Sequence, residues 1–364
     1  MADKRQADDA IKFYENRAVN YDGTWHDDFT RRFISYIDIE PGQRILDLAC
    51  GTGLLTFLEA DAVGPSGQVI GVDVTPSMLG IAQFKQRKAG EKYLNVTFLE
   101  GDVLRLDELN ALKGQTFDLI TVASALVLFP DPKAAIEHWS QFLKPGGVLA
   151  LDATHPRNLV AGMVLERVAR RLELPVPYNR SWSKSEATLK EVLESAGLEA
   201  EQVITVDNQA GYGRRSYDME QWDDFFVENV IVKDVVRTFA NNDIRRKAQG
   251  VYKEEWEKLA IDGKVEEVDV VFLGVARRRK SITKAYVGVV YDDRLLTILK
   301  LPTAPDTSPR SSRMASFSRV AADAVGSSTH RPHDPMISPS VIVGRVKNCL
   351  DRPFCHSLAY QEMR

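Results

Sequence analysis

The chain has 364 residues, of which 44% are hydrophobic and 27% charged, as is ordinary for a globular protein with a core of normal size. Residues 1–280 are acidic, with 36 Lys+Arg against 44 Asp+Glu, which argues against a polyanionic partner such as DNA or RNA. The three cysteines have neither metal-type nor disulfide-type spacing, and no apolar run has transmembrane length. The N-terminus is charged and lacks the apolar core of a signal peptide. We therefore predict a cytoplasmic protein without a membrane partner.

Along the first half of the chain, short apolar runs alternate with amphipathic stretches. Apolar positions at helical spacing predict N-terminal helices at 8–21 and 28–37. The strands that follow are predicted at 44–49, 68–72, 96–99, 117–122 and 148–153, and the helices between them at 54–62, 76–88, 106–112 and 132–143. This alternation indicates an α/β fold with a parallel sheet, helices on both faces, and ligand binding at the carboxyl ends of the strands.

The second half of the chain is predicted to be mostly helical. Helices are expected at 184–196, 217–239 and 253–259, and an apolar run at 268–276 predicts the last strand of the sheet. Residues 301–340 hold 6 of the 16 prolines and 9 serines, a composition that cannot bury enough apolar area to offset ordering entropy. We therefore predict lid helices at 1–40, a catalytic domain at 41–280 with a helical cap inserted at about 155–265, and a disordered tail at 281–364, with a short strand near 285–290.

Acidic residues and glycines follow the first three predicted strands. The first strand runs into the glycine turn Cys50-Gly51-Thr52-Gly53. Because its two glycines have no side chains, a ligand can approach the backbone of this turn closely. The second strand ends at Asp73, whose carboxylate is placed to accept both hydroxyls of a ribose, and Asp102 follows the third strand. A nicotinamide-binding domain also combines glycines with an acid, but Thr56 stands where its third glycine would fall.

Five stretches in this order carry a family resemblance: ILDLACGTGLL, VIGVDVTPSML, LEGDVLRL, FDLITVASALVLFPDP and LKPGGVLAL. Together they resemble the class I S-adenosylmethionine-dependent methyltransferases, in particular the small-molecule group that includes the ubiquinone- and menaquinone-biosynthesis type. The N-terminal stretch YENRAVNYDGTW looks like the leading helix of that family, which folds over the cofactor. The resemblance implies a Rossmann-like fold with a mostly parallel seven-stranded sheet, and S-adenosylmethionine as cofactor.

The resemblance also implies roles for individual residues. Asp47 would orient the methionine amino group of the cofactor, directly or through water, or would only cap the start of the next helix. Asp73 would hold the ribose, and Asp102 with Val103 would flank the adenine. Met78 would pack on the adenine or belong to the core. The remaining residues expected to bind cofactor are Ala49, Gly51, Gly53, Val74 and Ala123, with Ser124 beside them below the sulfonium. We predict no metal site.

Methyl transfer requires an aligned nucleophile and, for some acceptors, a general base. Related sequences carry histidines before the Pro-Asp that follows the fourth strand, where this chain has Val127 and Leu128. His155, which follows the fifth predicted strand, is therefore the candidate base; its alternative role is that of a loop histidine bonded to backbone. Asp152 would orient His155 or be solvated.

The acceptor is predicted to be a small, apolar or aromatic molecule. Seven aromatic residues in the predicted cap either line such a substrate or pack the helices: Tyr178, Trp182, Tyr212, Tyr217, Trp222, Phe225 and Phe226. We predict O-methylation, with nitrogen and carbon as open alternatives, in secondary metabolism of the fungal kind. The rival hypothesis is a non-catalytic regulator that keeps the fold and binds the cofactor. The sequence does not predict an oligomeric state.

Overall fold

A computed structural model describes residues 4–15, 17–176, 178–232, 239 and 241–280. Its main feature is a seven-stranded sheet with the order β3-β2-β1-β4-β5-β9-β6. The first five strands in chain order pair in parallel, whereas β9 is antiparallel to both β5 and β6. This is the mostly parallel, seven-stranded arrangement that the sequence predicted.

The elements are bounded as follows. The strands are β1 Arg44–Leu48, β2 Gln68–Asp73, β3 Val96–Glu100, β4 Phe117–Val122, β5 Leu143–Thr154, β6 Leu198–Asp207, β7 Arg215–Asp218, β8 Lys264–Glu267 and β9 Val270–Arg278. The helices are α1 Lys4–Glu15, α2 His26–Ile34, α3 Leu54–Val63, α4 Pro76–Lys88, α5 Pro132–Ser140, α6 Val160–Arg171, α7 Glu186–Ser195, α8 Trp222–Phe226 and α9 Asn242–Glu257.

Both faces of the sheet are covered, because alternate residues of each parallel strand point to opposite sides. On one face, Leu46 of β1 and Ile120 of β4 pack with Trp139 of α5. On the other face, Ile45 of β1 packs with Phe33 of α2. The strands read as continuous apolar runs for this reason.

Local signals in the sequence explain where several helices begin. Proline occupies the first turn of α4 and of α5, where its missing N–H costs no hydrogen bond. The Asp131 side chain accepts a hydrogen bond from Ala134 N at the start of α5, and Ser185 and Thr188 form a reciprocal capping box at the start of α7.

Several secondary-structure predictions were wrong in type or extent. The helix predicted at 253–259 is the last part of α9, Asn242–Glu257, and the strand predicted at 148–153 is the longer β5, Leu143–Thr154. The predicted helix at 106–112 is a pair of 3₁₀ turns, Val103–Glu108 and Asn110–Leu112. The range 217–239 begins with strand residues of β7 and continues through α8 into a π-helical turn at Val227–Val232. The range 155–265 is not wholly an inserted cap, because β6 within it belongs to the main sheet. The N-terminal helix ends at Glu15 and a 3₁₀ turn, Ala18–Gly23, follows.

The part of 155–265 that lies off the sheet has its own apolar core. Helices α6, α8 and α9 meet around Val164, Phe226 and Trp256, and β7 pairs with β8 beside them. We call these five elements the cap. The predicted tail at 281–364, with its strand near 285–290, lies outside the described residues. Among the helices that are described, none is long and apolar enough to cross a membrane.

Candidate functional site

A pocket of about 620 Å³ opens at the carboxyl ends of the parallel strands. This is the edge at which open α/β sheets bind ligands. The lining comes from the segments after β1, β2, β3 and β4 and from the N-terminal region: Ala10, Tyr14, Tyr21, Ala49, Gly51, Asp73, Val74, Thr75, Met78, Asp102, Val103, Ala123, Ser124, Ala125, Leu128 and Phe129. Four separate sequence motifs and the N-terminal segment therefore meet at one place.

The glycine turn after β1 forms one wall of the pocket. Gly51 has a φ of +55°, and a Cβ added there would lie 4.0 Å from Cε1 of Tyr21 across the pocket. Gly53 has a φ of +79°, but an added Cβ would lie 3.0 Å from ring atoms of both Phe57 and Phe98. Gly51 thus leaves room for a ligand, whereas Gly53 leaves room for protein side chains.

The Asp73 carboxylate lies where the second strand ends and is 7% exposed. Its Oδ2 accepts a hydrogen bond from Gly51 N and its Oδ1 accepts one from Thr75 N, both at 2.8 Å. Burial raises the pKa of this carboxyl above its usual value. These backbone hydrogen bonds fix the carboxylate at the pocket, and carboxylate oxygens, which have two lone pairs each, can accept hydrogen bonds from hydroxyl groups.

The far side of the pocket combines an acid with apolar side chains. Asp102 caps the 3₁₀ turn at Val103–Glu108, since its Oδ1 accepts a hydrogen bond from Leu104 N at 2.9 Å. Met78 on α4 is 2% exposed and Val103 is 6% exposed, so both belong to the core and to the pocket wall at once. A flat apolar ring with polar edges suits this end of the pocket.

The segment after β4 turns sharply under the pocket. Ser124 has a φ of +54°, and its backbone N–H donates to Oδ1 of Asp152 on β5 at 2.6 Å. Asp152 is 3% exposed, and burial raises the pKa of its carboxyl to about 7. Asp152 therefore holds the Ser124 turn; it is neither solvated nor bonded to His155.

The N-terminal segment closes over the pocket. Tyr14 and Tyr21 lie with their ring centroids 6.4 Å apart, and burial raises the pKa of Tyr14 to about 12. Asp22 accepts a hydrogen bond from the Thr52 hydroxyl in the glycine turn, and its Oδ2 lies 2.7 Å from Nζ of Lys85 on α4. These contacts attach the lid to both the glycine turn and α4.

Comparison with known proteins agrees with this geometry. Residues 39–209 match a family model described as a methyltransferase domain. This part of the chain, 171 of the 364 residues, is thus similar to methyltransferase domains. A demethylmenaquinone methyltransferase of Lactococcus lactis is 39% identical over 116 residues, which cover 32% of this chain and 44% of that protein. One from Symbiobacterium thermophilum is 33% identical over 155 residues, covering 40% and 59%.

The matched residues span between 44% and 64% of the length of the first three curated relatives, so less than two thirds of each is covered. Among solved structures, a methyltransferase from Bacillus halodurans is 21% identical with a TM-score of 0.46, covering 69% of this chain and 99% of that one. A phosphoethanolamine N-methyltransferase of Haemonchus contortus is 17% identical with a TM-score of 0.40, covering 69% and 52%.

S-adenosylmethionine is the methyl donor of this domain family, and the pocket of the methyltransferase domain fits it. Gly51 leaves open the space that a Cβ would fill, and the Asp73 carboxylate, which lines the pocket, is of the type that accepts hydrogen bonds from the hydroxyls of a sugar. Met78 and Val103 supply an apolar wall beside Asp102. No group of three or more potential metal ligands occurs within the described ranges of the chain.

The structure brings most of the predicted cofactor residues to the pocket, but Asp47 and Gly53 are not part of its lining. Asp47 is 1% exposed, and its Oδ2 accepts a hydrogen bond from Thr56 Oγ1 at 2.6 Å. The role that the resemblance implied for Asp47 at the methionine amino group, directly or through water, stays a prediction. Thr56, which replaces the third glycine of a nicotinamide-type turn, instead holds that carboxylate.

The predicted base, His155, is also absent from the pocket lining. Its Nδ1 accepts a hydrogen bond from Arg157 N at 3.0 Å, and its ring lies 5.5 Å from that of Phe272. Burial and the nearby Arg157 lower the pKa of this imidazole. These contacts match the alternative role of a loop histidine bonded to backbone.

The cap aromatics do not line the pocket either, within the part of the chain that the structure describes. Tyr217, Phe225 and Trp256 pack on one another with centroids 4.6–6.3 Å apart, as in an ordinary helical core. The sequence reasoning missed Tyr14 and Tyr21 as lining residues, although both stand in the N-terminal stretch YENRAVNYDGTW that carried part of the resemblance. The helical spacing of apolar residues in this stretch predicts a helix, but it does not predict whether the two tyrosine rings face the core or a ligand.

Proposed function

We propose that this protein binds S-adenosylmethionine and transfers its methyl group to a small molecule. The observation that carries the proposal is the convergence of Gly51, Asp73, Asp102 and Ala123 on one pocket at the carboxyl edge of the sheet. In this arrangement Asp73 holds the ribose, Met78 and Val103 enclose the adenine, and the turn at Ser124 lies under the reacting end.

The acceptor proposed here is small and apolar or aromatic. Tyr14, Tyr21, Leu128 and Phe129 supply aromatic and apolar surface to the pocket. Burial raises the pKa of both tyrosines, so at neutral pH they donate hydrogen bonds and do not serve as bases. Demethylmenaquinone methyltransferases, named among the relatives, are consistent with such an acceptor.

Oxygen remains the proposed methylated atom. The titratable groups that line the pocket in the described structure are Asp73, Asp102, Tyr14 and Tyr21, and no histidine is among them. An oxygen acceptor should therefore be acidic enough to ionise without a strong base, as a phenol or enol beside a carbonyl is. An amine or an electron-rich carbon must also give up a proton, before or after the transfer, and both stay open as alternatives. A role in secondary metabolism and a cytoplasmic location are parts of the same proposal.

The first test is calorimetry with S-adenosylmethionine and with S-adenosylhomocysteine. We expect both to bind, and an Asp73→Ala variant to lose binding by at least about tenfold, because two ribose hydrogen bonds are removed. Asp61→Asn, at an exposed acid on α3, is the control and should bind as the wild type does. Absence of any heat or thermal shift with the wild-type protein would end the proposal.

The second test separates an enzyme from a cofactor-binding regulator. Cell extract is incubated with the protein and a ¹³C-methyl donor, and products are searched for a gain of one labelled methyl group. The carbon chemical shift of that group then distinguishes attachment to oxygen, nitrogen or carbon. Binding without any labelled product would favour the regulator.

A further inference from the structure

Two buried carboxyl groups lie together beneath the glycine turn and have no part in the function proposed so far. Asp47 on β1 is 1% exposed and Glu59 on α3 is 0% exposed. Thr121 on β4, the register partner of Asp47, places its Oγ1 2.7 Å from Glu59 Oε1 and 3.5 Å from Asp47 Oδ1. One hydroxyl group therefore stands between the two acids.

The available hydrogen atoms do not satisfy two ionised carboxylates. The Thr121 hydroxyl has one proton to donate, and the short contact gives it to Glu59. Thr56 donates to Asp47 Oδ2, while Glu59 Oε2 is buried without a hydrogen-bond partner among the described residues. Burying a bare, charged oxygen is costly, and two like charges at one site disfavour joint ionisation. A single proton on the pair removes both penalties.

Neither acid forms an ion pair with a lysine, arginine or histidine of the described residues. Facing the pair are the Asp73 carboxylate at the end of β2 and the Cys50 thiol in the glycine turn. Helix α2, which packs on α3, contributes Phe29 and Phe33 to the apolar cluster. Burial raises the pKa of Asp47 to about 7, and burial followed by the charge of Asp47 raises that of Glu59. The neighbouring charge that acts most on each acid is another carboxylate: that of Asp73 on Asp47, and that of Asp47 on Glu59.

The pair is connected to the proposed cofactor site through the end of β1 and the glycine turn. Ala49 and Gly51, which line the pocket, follow Asp47 by two and four residues, and Asp73 contacts both the pocket and Gly51 N. S-adenosylmethionine carries a sulfonium and an ammonium group. Positive charge brought over the turn favours the ionised form of acids below it.

We propose that Asp47 and Glu59 share one proton in the cofactor-free protein and release it to solvent when S-adenosylmethionine binds, so that the pair becomes a counter-charge for the cofactor. Glu59 is then a positioning residue, since it acts on the cofactor through Asp47 and the glycine turn. This inference rests on the proposed function. The proton shared by the pair can nevertheless be examined without any ligand.

The first experiment uses the cofactor-free protein. Carboxyl ¹³C NMR of protein labelled at Asp and Glu should show a Glu59 resonance that titrates at or above neutral pH and is missing from Glu59→Gln. The urea midpoint of Glu59→Gln minus that of wild type should increase as pH rises from 5 to 8. Wild type acquires a buried charge over this range, whereas the amide of the variant stays neutral. Glu166→Gln is the matched control, a buried helical glutamate whose charge is paired with Arg170. A Glu59 that titrates near its ordinary pKa would overturn the proposal.

The second experiment counts protons released on binding. The number of protons released is obtained from calorimetric titrations with S-adenosylmethionine near pH 7 in buffers of different ionisation enthalpy. Wild type should release about half a proton more than Glu59→Gln, or a larger excess. Proton exchange at the cofactor's own amino group is common to both proteins and cancels. S-adenosylhomocysteine, which lacks the sulfonium charge, should release less.

The outcomes separate the two proposals. Binding with equal proton release in wild type and Glu59→Gln overturns the counter-charge and leaves the proposed function intact. No binding of either ligand overturns the proposed function and the release step together, while the NMR titration still decides whether the pair holds a proton. The inference is supported if wild type releases more protons than Glu59→Gln on binding and the NMR titration of Glu59 is as expected.

Discussion

Asp152 allows the sharpest test of the electrostatics around the pocket. Its carboxyl is buried on β5, accepts the Ser124 N–H at 2.6 Å, and has a pKa raised from 3.8 to about 7 by burial. Replacement by Asn keeps an oxygen that can accept from Ser124 N and removes the charge. Fold and turn geometry should therefore persist in Asp152→Asn.

The sign of the effect follows from proton linkage. Because the folded-state pKa lies above the unfolded one, the folded protein binds the proton more tightly, and this stabilisation is complete below about pH 4 and lost as pH rises through 7. Three pKa units at about 1.4 kcal/mol each amount to about 4 kcal/mol. The free energy of unfolding of wild type should fall by up to about this amount relative to Asp152→Asn between pH 4 and 8.

Urea unfolding followed by tryptophan fluorescence, at steps of pH, measures this difference. Asp118→Asn is the control with the opposite sign. Burial opposes ionisation of Asp118, but Lys144 Nζ lies 2.7 Å from its Oδ1, and the net effect is a lowered pKa. Wild type should lose stability relative to Asp118→Asn as pH falls. Parallel pH profiles for wild type and Asp152→Asn would refute the reasoning that Asp152 titrates near neutrality.

Three further predictions concern the turn, the lid and the histidine. Gly53→Ala should lower the free energy of unfolding in urea by about 1–3 kcal/mol, because φ is +79° and the new Cβ would lie 3.0 Å from two rings. The control Gly80→Ala on α4, which has open space around it, should be neutral or stabilising. Lys85→Met removes the ion pair with the lid and should raise the cofactor dissociation rate severalfold in stopped-flow measurements; Lys92→Met, which breaks an ion pair with α3, should not. His155→Ala should keep its turnover at neutral pH, since the ring is bonded to backbone outside the pocket lining, and a loss of turnover exceeding about tenfold would restore it as a candidate base.

Strand and helix alternation was readable from sequence because each parallel strand is buried on both faces. The helix at Pro76–Lys88 and the strand at Phe117–Val122 were predicted with the bounds that the structure has. The 3₁₀ turns after Asp102 were read as helix, since apolar spacing over seven residues does not distinguish the two. Strand β6 was missed, because the alternation of apolar and polar residues that predicts a half-buried strand breaks at Glu201 and Gln202, where the register with β9 shifts.

The sequence alone determined the order of the motifs, and with it the parallel sheet and the place of the pocket, because turns and strand ends are local features of the chain. Only the tertiary structure decided which side chains meet there. Asp47 and Gly53 stand within the glycine motif but serve the protein interior, while Tyr14 and Tyr21 reach the pocket from the N-terminus. The direction in which a side chain points depends on strand register and on the helix packed against it, and both are set by contacts between residues far apart in the chain.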